Sequence, residues 1–198
     1  MNENTNRFIG YAINDLLNHN VSIILRSKKY LRDVTDGWFS SDNKLKFVCN
    51  LGDCKDLRIS VFLHEYSHFI QWKTKSHYWV GEDYNNAYQE YFEFKGTKNQ
   101  LKYQHLIQEV EQDCDRIAVK LIKKHGLDID IDQYIRESNW YIWMYNIVSE
   151  LNKWPNMRYI NMREMCKICP KKFIEKSRYN RLPPKFLNQI DKSVLNKK

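Results

Sequence analysis

The residues of this chain best equipped for chemistry are His64, Glu65 and His68, in the run His64-Glu65-Tyr66-Ser67-His68. The flanking pattern predicts a helix over residues 57–72, with Asp53 or Asp56 as its cap. On a helix, positions i and i+4 stand one above the other, so both imidazoles can reach one Zn²⁺. Glu65 is turned by about 100° from His64, which puts it beside such a metal, able to take a proton from a water that the metal activates. With six His and eleven Glu in the chain, the spacing arises by chance about once in a hundred such sequences. That is rare enough to pursue. The bland alternative is a buried helix whose histidines make ordinary hydrogen bonds, because Ile59, Phe62, Leu63, Phe69 and Ile70 make its other sides apolar.

A catalytic zinc needs a third protein ligand and an open fourth position. The third His of the metzincin spacing is absent, since Thr74 stands there, and the next His is His77. The other solution is a Glu from a later helix, expected over residues 103–125 and stopped by Gly126. Two glutamates compete, and the helical period separates them. Ile107, Val110, Cys114, Ile117, Ala118 and Leu121 form one apolar stripe. Glu111 falls about 60° from its centre at Cys114, whereas Glu109 falls with Asp113, Arg116 and Lys120 on the opposite face. A carboxylate turned toward an apolar interface is costly unless something pairs with it, and a metal does. Asp115, one turn after Glu111, can accept the second imidazole N–H of a ligand His and fix its tautomer.

His64-Glu65-x-x-His68 followed by Glu111-x-x-x-Asp115-x-x-Ala118 resembles the gluzincin metallopeptidases. In pattern it is nearest to the small soluble ImmA/IrrE-like peptidases of bacteria and phages and to the soluble part of the M48 peptidases. The resemblance covers roughly residues 21–125. It implies a zincin-like α+β fold, with a small twisted sheet packed on the active-site helix and a helical C-terminal part. It also implies His64, His68 and Glu111 as zinc ligands, Glu65 as catalytic base, and a peptide or protein as substrate. Gluzincins commonly stabilise the oxyanion with a Tyr or His, for which Tyr141 and Tyr145 are candidates, as is His77. Two departures stand out: M48 enzymes usually carry transmembrane helices, and Cys114 occupies a position usually held by Ala. The expected reaction is hydrolysis of a peptide bond.

The elements that must position these groups are legible in outline. Residues 7–18 read as an amphipathic helix, 21–25 as a strand, and 37–39 with 45–49 as a hairpin turning at Asp42-Asn43. The second hairpin strand precedes the active-site helix and is expected to offer its edge to an extended peptide. A short helix is expected around 87–94, and a longer one over 131–151 ends before Trp154-Pro155. Short helices broken at Pro170 and at Pro183-Pro184 follow.

Composition narrows the function classes. Hydrophobic residues are 42% and aromatic ones 14%, which excludes a disordered chain. Mean hydropathy is −0.70, and no apolar run is long enough to cross a bilayer. The first residues lack the layout of a secretory signal, so an intracellular protein is expected, in the host cytoplasm if the source is viral. The Asn-, Lys- and Ile-rich composition would suit an AT-rich phage or viral genome. Five cysteines argue for reduced thiols. Cys166-Lys167-Ile168-Cys169 with Cys49 and Cys54 would make a poor structural zinc site, and packing is the simpler role.

The net charge of +8 is unevenly placed, because residues 153–198 hold thirteen Lys and Arg against three Asp and Glu. One domain with a basic C-terminal extension is therefore expected. The extension is a solvated surface or a site for nucleic acid, although no nucleic-acid motif accompanies it. The competing function is a non-enzymatic binding protein stabilised by zinc.

Overall fold

A computed structural model describes residues 2–26, 37–41, 44–50, 59–79, 87, 91, 100–153, 155 and 160–190. The class is α+β, with a small three-stranded mixed sheet and mostly helices. The chain forms two compact units, Met1–Trp79 with Cys114–Ile129, and Val80–Asp113 with Asp130–Lys198. None of its described helices is long and apolar enough to cross a membrane.

In the first unit, α1 (Glu3–Asn18) starts four residues before its apolar pattern does. The reason is a cap: the Asn2 side chain accepts the Thr5 N–H at 2.9 Å and the Thr5 hydroxyl at 2.8 Å. After α1 come β1 (Ser22–Arg26), β2 (Gly37–Ser40) and β3 (Lys46–Asn50). The strand order is β1-β3-β2. β2 and β3 pair antiparallel as the expected hairpin, and β1 joins β3 in parallel. This corrects the expectation for the strand around 45–49. β3 is hydrogen-bonded on both sides and has no edge to offer, while β2 pairs only with β3 among the described residues.

One sheet face carries the register row Phe39–Phe47–Ile23 and, beside it, Gly37–Cys49–Leu25. The helix α2 (Ile59–Lys73) packs on this face through Phe47 against Phe62 and Phe39 against Phe69. On another side Phe8 of α1 meets Phe62 and Tyr66. Asp15 of α1 fastens the two helices, accepting from the Tyr66 hydroxyl at 2.7 Å and from Lys73 Nζ at 2.6 Å. α2 is therefore buried nearly all round, and its polar residues Glu65, Ser67, His68 and Gln71 lie inside. Polar groups so placed are stable only with partners, so their contacts carry information.

The helix α3 (Gln100–His125) gives its C-terminal half, from Cys114, to the first unit. It ends where Gly126 takes a left-handed φ of +59° and Leu127 N–H bonds back to the Ile122 carbonyl at 3.0 Å.

The second unit is built on the N-terminal half of α3, α4 (Ile131–Leu151), α5 (Met162–Ile168), a 3-10 turn (Lys176–Arg178) and α6 (Pro184–Gln189). The basic stretch from residue 153 is part of its core. Ile160, Met165, Cys166, Cys169, Ile174, Tyr179, Phe186 and Ile190 bury with Trp140, Trp143 and Ile147 of α4. Arg136 of α4 donates to the carbonyls of Cys166, Lys167 and Cys169 at 3.1, 2.7 and 2.7 Å, closing the C-terminus of α5. Asn139 docks the next turn through Pro170, Lys172 and Ile174. Three lysines of the stretch are held in ion pairs, Lys167 with Glu164, Lys171 with Asp132 and Lys176 with Glu109. The expected caps Asp53 and Asp56, the Asp42-Asn43 turn and Cys54 lie outside the described residues. So does most of the expected helix at 87–94, of which Ala87 and Tyr91 are helical.

Candidate metal centre

The i, i+4 spacing on α2 does what helical geometry requires. The His64 and His68 rings stand 4.7 Å apart and nearly perpendicular, and their Nε2 atoms face each other at 3.2 Å. The outer nitrogen of each ring is committed elsewhere. His64 Nδ1 lies 2.9 Å from Asp115 Oδ1, and His68 Nδ1 lies 2.9 Å from Gln71 Oε1. A carboxylate and an amide oxygen are acceptors only, so both Nδ1 atoms carry a hydrogen and the two Nε2 atoms face inward. Two facing lone pairs repel unless a proton or a cation lies between them. Tetrahedral zinc with Zn–N bonds of 2.0–2.1 Å sets its two nitrogens about 3.3 Å apart. The donor set fits that ion.

His68 is buried, whereas 27% of the His64 side chain is exposed, so the pair opens to solvent on one side. Burial works against a charged His64, but Cys114 and Asp115 beside it outweigh burial and hold its pKa well above the ordinary histidine value. A metal at this pair must displace that proton.

Glu65 is buried and rests on the end of the hairpin. A Cβ placed on Gly37 would lie 2.8 Å from Glu65 Cγ, 3.1 Å from its Oε1 and 3.0 Å from the Val48 carbonyl oxygen. Only a glycine leaves room for the carboxylate at that point on β2.

Among the described residues, the close group of metal-ligating side chains is His64, His68 and Cys114, whose donor atoms lie within 4.8 Å of one another. The Cys114 thiol donates to the His64 carbonyl at 3.1 Å, and its sulfur is 3.7 Å from His64 Nδ1. It therefore flanks the same ring nitrogen as Asp115 and is turned to the helix backbone. Glu111 is half-buried on α3, one turn before Asp115, and is not a member of that close trio. Glu109 is paired with Lys176 at 2.8 Å.

Tyr145 is buried in the second unit with Ala87, Tyr91 and Tyr103, and its carbonyl accepts from the Tyr91 hydroxyl at 2.7 Å. Tyr141 is 45% exposed. His77 is exposed and lies against the Tyr78 ring at 3.8 Å. Burial pushes the Cys166 and Cys169 thiols up to about 12, so both stay protonated and serve as small core residues.

Sequence reasoning found the histidines, Glu65 and Asp115 but passed over Gln71, Trp79 and Gly37. Gln71 left a signal, a polar residue three positions after His68 on a largely apolar helix. Gly37 left a weaker one, a lone glycine opening a strand. Trp79 reaches the site through a turn that no local pattern foretells. No family model, no curated protein and no solved structure matches this chain.

Proposed function

We propose that this chain is a zinc-dependent metallopeptidase of zincin-like fold. The observation that carries the reading is the pair of Nε2 atoms facing at 3.2 Å while each Nδ1 is engaged by a separate acceptor. Zinc would be held by His64, His68 and Glu111, and when bound it supplies a Lewis acid that brings the pKa of water toward neutrality. Glu111 is supported as the third ligand by the period of α3, which sets it one turn from Asp115, itself bonded to His64.

The chain's own groups do the rest. Glu65 takes the proton of the attacking water and delivers it to the leaving amine. Its seat against Gly37 limits the carboxylate to a narrow range of positions, and a base so confined spends little of the barrier on orientation. Asp115 fixes the ring of His64 through Nδ1. An extended peptide would be held by main-chain pairing along β2. Gly37 opens that strand and touches Glu65, so a peptide paired there runs past the base.

The test is metal analysis of the purified protein beside digestion of a peptide library. Wild-type protein should carry about one zinc and cleave. Glu65→Gln should keep the zinc and lose cleavage, and His64→Ala should lose both. A wild type without zinc overturns the reading. One that holds zinc and cleaves nothing is a zinc-stabilised binding protein instead.

A further inference from the structure

We infer that Gln71 and Trp79 form a positioning pair for His68, setting its tautomer and aiming its Nε2 at the partner imidazole. The inference rests on the zinc reading only for the identity of the ion. Gln71 lies three residues after His68 on α2 and is fully buried. Its Oε1 stands 2.9 Å from His68 Nδ1 and receives the Trp79 indole N–H at 3.0 Å. Two donors converge on one carbonyl oxygen, filling both lone pairs. The two bonds decide the amide's orientation, because a flipped amide would set its NH₂ against two N–H groups. They also decide the ring: His68 keeps its hydrogen on Nδ1 and presents a lone pair at Nε2.

Trp79 is brought there by the way α2 ends. Lys75 takes a left-handed φ of +51°. The Ser76 N–H then bonds to the Gln71 carbonyl at 2.9 Å, and the Lys75 N–H to the Trp72 carbonyl at 3.0 Å. This doubles the chain back along the helix. A second turn, closed by the Trp79 N–H on the Ser76 carbonyl at 2.8 Å, carries the indole over the site. Its ring centroid lies 5.9 Å from that of His68 and 5.6 Å from that of Phe39. Gln71 thus receives the turn through its backbone and the indole through its side chain, and it passes that rigidity to His68.

The two imidazoles are consequently held by unlike partners. His64 donates to a carboxylate and His68 to a neutral amide. The carboxylate makes its imidazole the stronger electron donor, while the amide orients without adding charge. Gln71 is a positioning residue, and it acts only through His68.

The test compares Gln71→Met, which keeps length and packing but removes the acceptor, with Gln71→Glu, which restores one, and with Trp79→Phe. Zinc affinity is read by competition with a chromophoric chelator. The His68 tautomer is read in zinc-free protein from long-range ¹H–¹⁵N correlations. Gln71→Met should bind zinc about 10- to 100-fold more weakly and show His68 in mixed tautomers. Gln71→Glu should return both readings to near wild type, and Trp79→Phe should weaken binding by about threefold to tenfold. Folded Gln71→Met or Trp79→Phe protein with unchanged affinity and an unchanged tautomer overturns the pair. If the wild type takes up no zinc, the zinc reading fails by itself. The tautomer measurement then decides the positioning role: a shift in Gln71→Met upholds it and no shift overturns it.

Discussion

Gly37→Ala tests the seat of Glu65 without any knowledge of substrate. The new methyl would meet Glu65 Cγ at 2.8 Å, the Val48 carbonyl oxygen at 3.0 Å and Glu65 Oε1 at 3.1 Å. Ordinary carbon contacts are about 3.5 Å or longer, so something must retreat by roughly 0.7 Å. The Val48 carbonyl belongs to the paired strands β2 and β3, which makes the Glu65 side chain the part that yields. Overpacking of this kind costs about 1–3 kcal/mol. In a Glu65→Ala background two of the three contacts vanish, and the same substitution should cost under about 1 kcal/mol. The coupling between the two positions should therefore reach about 1 kcal/mol, well above the scatter of independent sites. Urea unfolding midpoints of the four proteins in chelator-treated buffer measure it. Activity gives a second reading, since a displacement near 1 Å at a catalytic group costs on the order of a hundredfold, with zinc content unchanged. Equal costs for Gly37→Ala in both backgrounds, within about 0.3 kcal/mol, would show that Glu65 does not occupy this seat.

Further variants separate the remaining roles. Glu111→Gln should sharply weaken zinc binding, because a neutral amide poorly replaces an anionic oxygen. Glu109→Gln removes only a surface pair with Lys176 and should leave zinc content intact, and a reversed order in metal analysis would refute the α3 assignment. Asp115→Asn should lower zinc affinity about 10- to 100-fold in the same chelator competition. For Asp15, burial raises the pKa, but hydrogen bonds from Lys73 and Tyr66 outweigh it and hold the carboxyl below its ordinary value. A depressed carboxyl stabilises the fold at pH above its unfolded value and loses that stabilisation as pH falls through the folded one. Asp15→Asn should thus cost about 1 kcal/mol at pH 7, a figure reduced for solvent screening. The gap to wild type in urea midpoint should close below about pH 4, and an equal gap at pH 3 would contradict the network.

The readable and the unreadable parts of this molecule divide along the line between local and long-range physics. The helices at 59–73, 100–125 and 131–151 show in the apolar period, because one turn fixes which residues share a face. The hairpin shows in its alternation. What no window reveals is that β1 joins β3 in parallel, which makes β3 central and β1 and β2 the outer strands among the described residues. The early start of α1 leaves no mark in the apolar period, because Asn2 supplies the cap before the first apolar residue of the helix. The same division runs through the candidate site. His64, Glu65 and His68 are placed by one helix turn, and Asp115 by a period on α3. Gln71 depends on Trp79, and Glu65 on Gly37, and both relations exist only after the chain has folded back.

The basic stretch from residue 153 has two sides, an exposed charged one and a buried apolar one. Its thirteen Lys and Arg suggest a solvated surface or a site for an anionic partner, while its apolar residues are too scattered to form a period. Folded, those residues complete the core on α4, and three of the lysines meet Glu109, Asp132 and Glu164. The glutamines of α3 make the matching point from the polar side. Gln104, Gln108 and Gln112 recur every fourth residue and are all buried, so they share one face of α3. Each donates inward, Gln104 to Asn146, Gln108 to the Ile142 carbonyl and Gln112 to the Ile174 carbonyl. The amide N–H groups find their acceptors inside, and these bonds tie α3 to α4 and to the turn at Ile174 in one register. The second unit is thus closed by a stretch that keeps its charge in solvent and its apolar residues inside, and by glutamines that donate into the core.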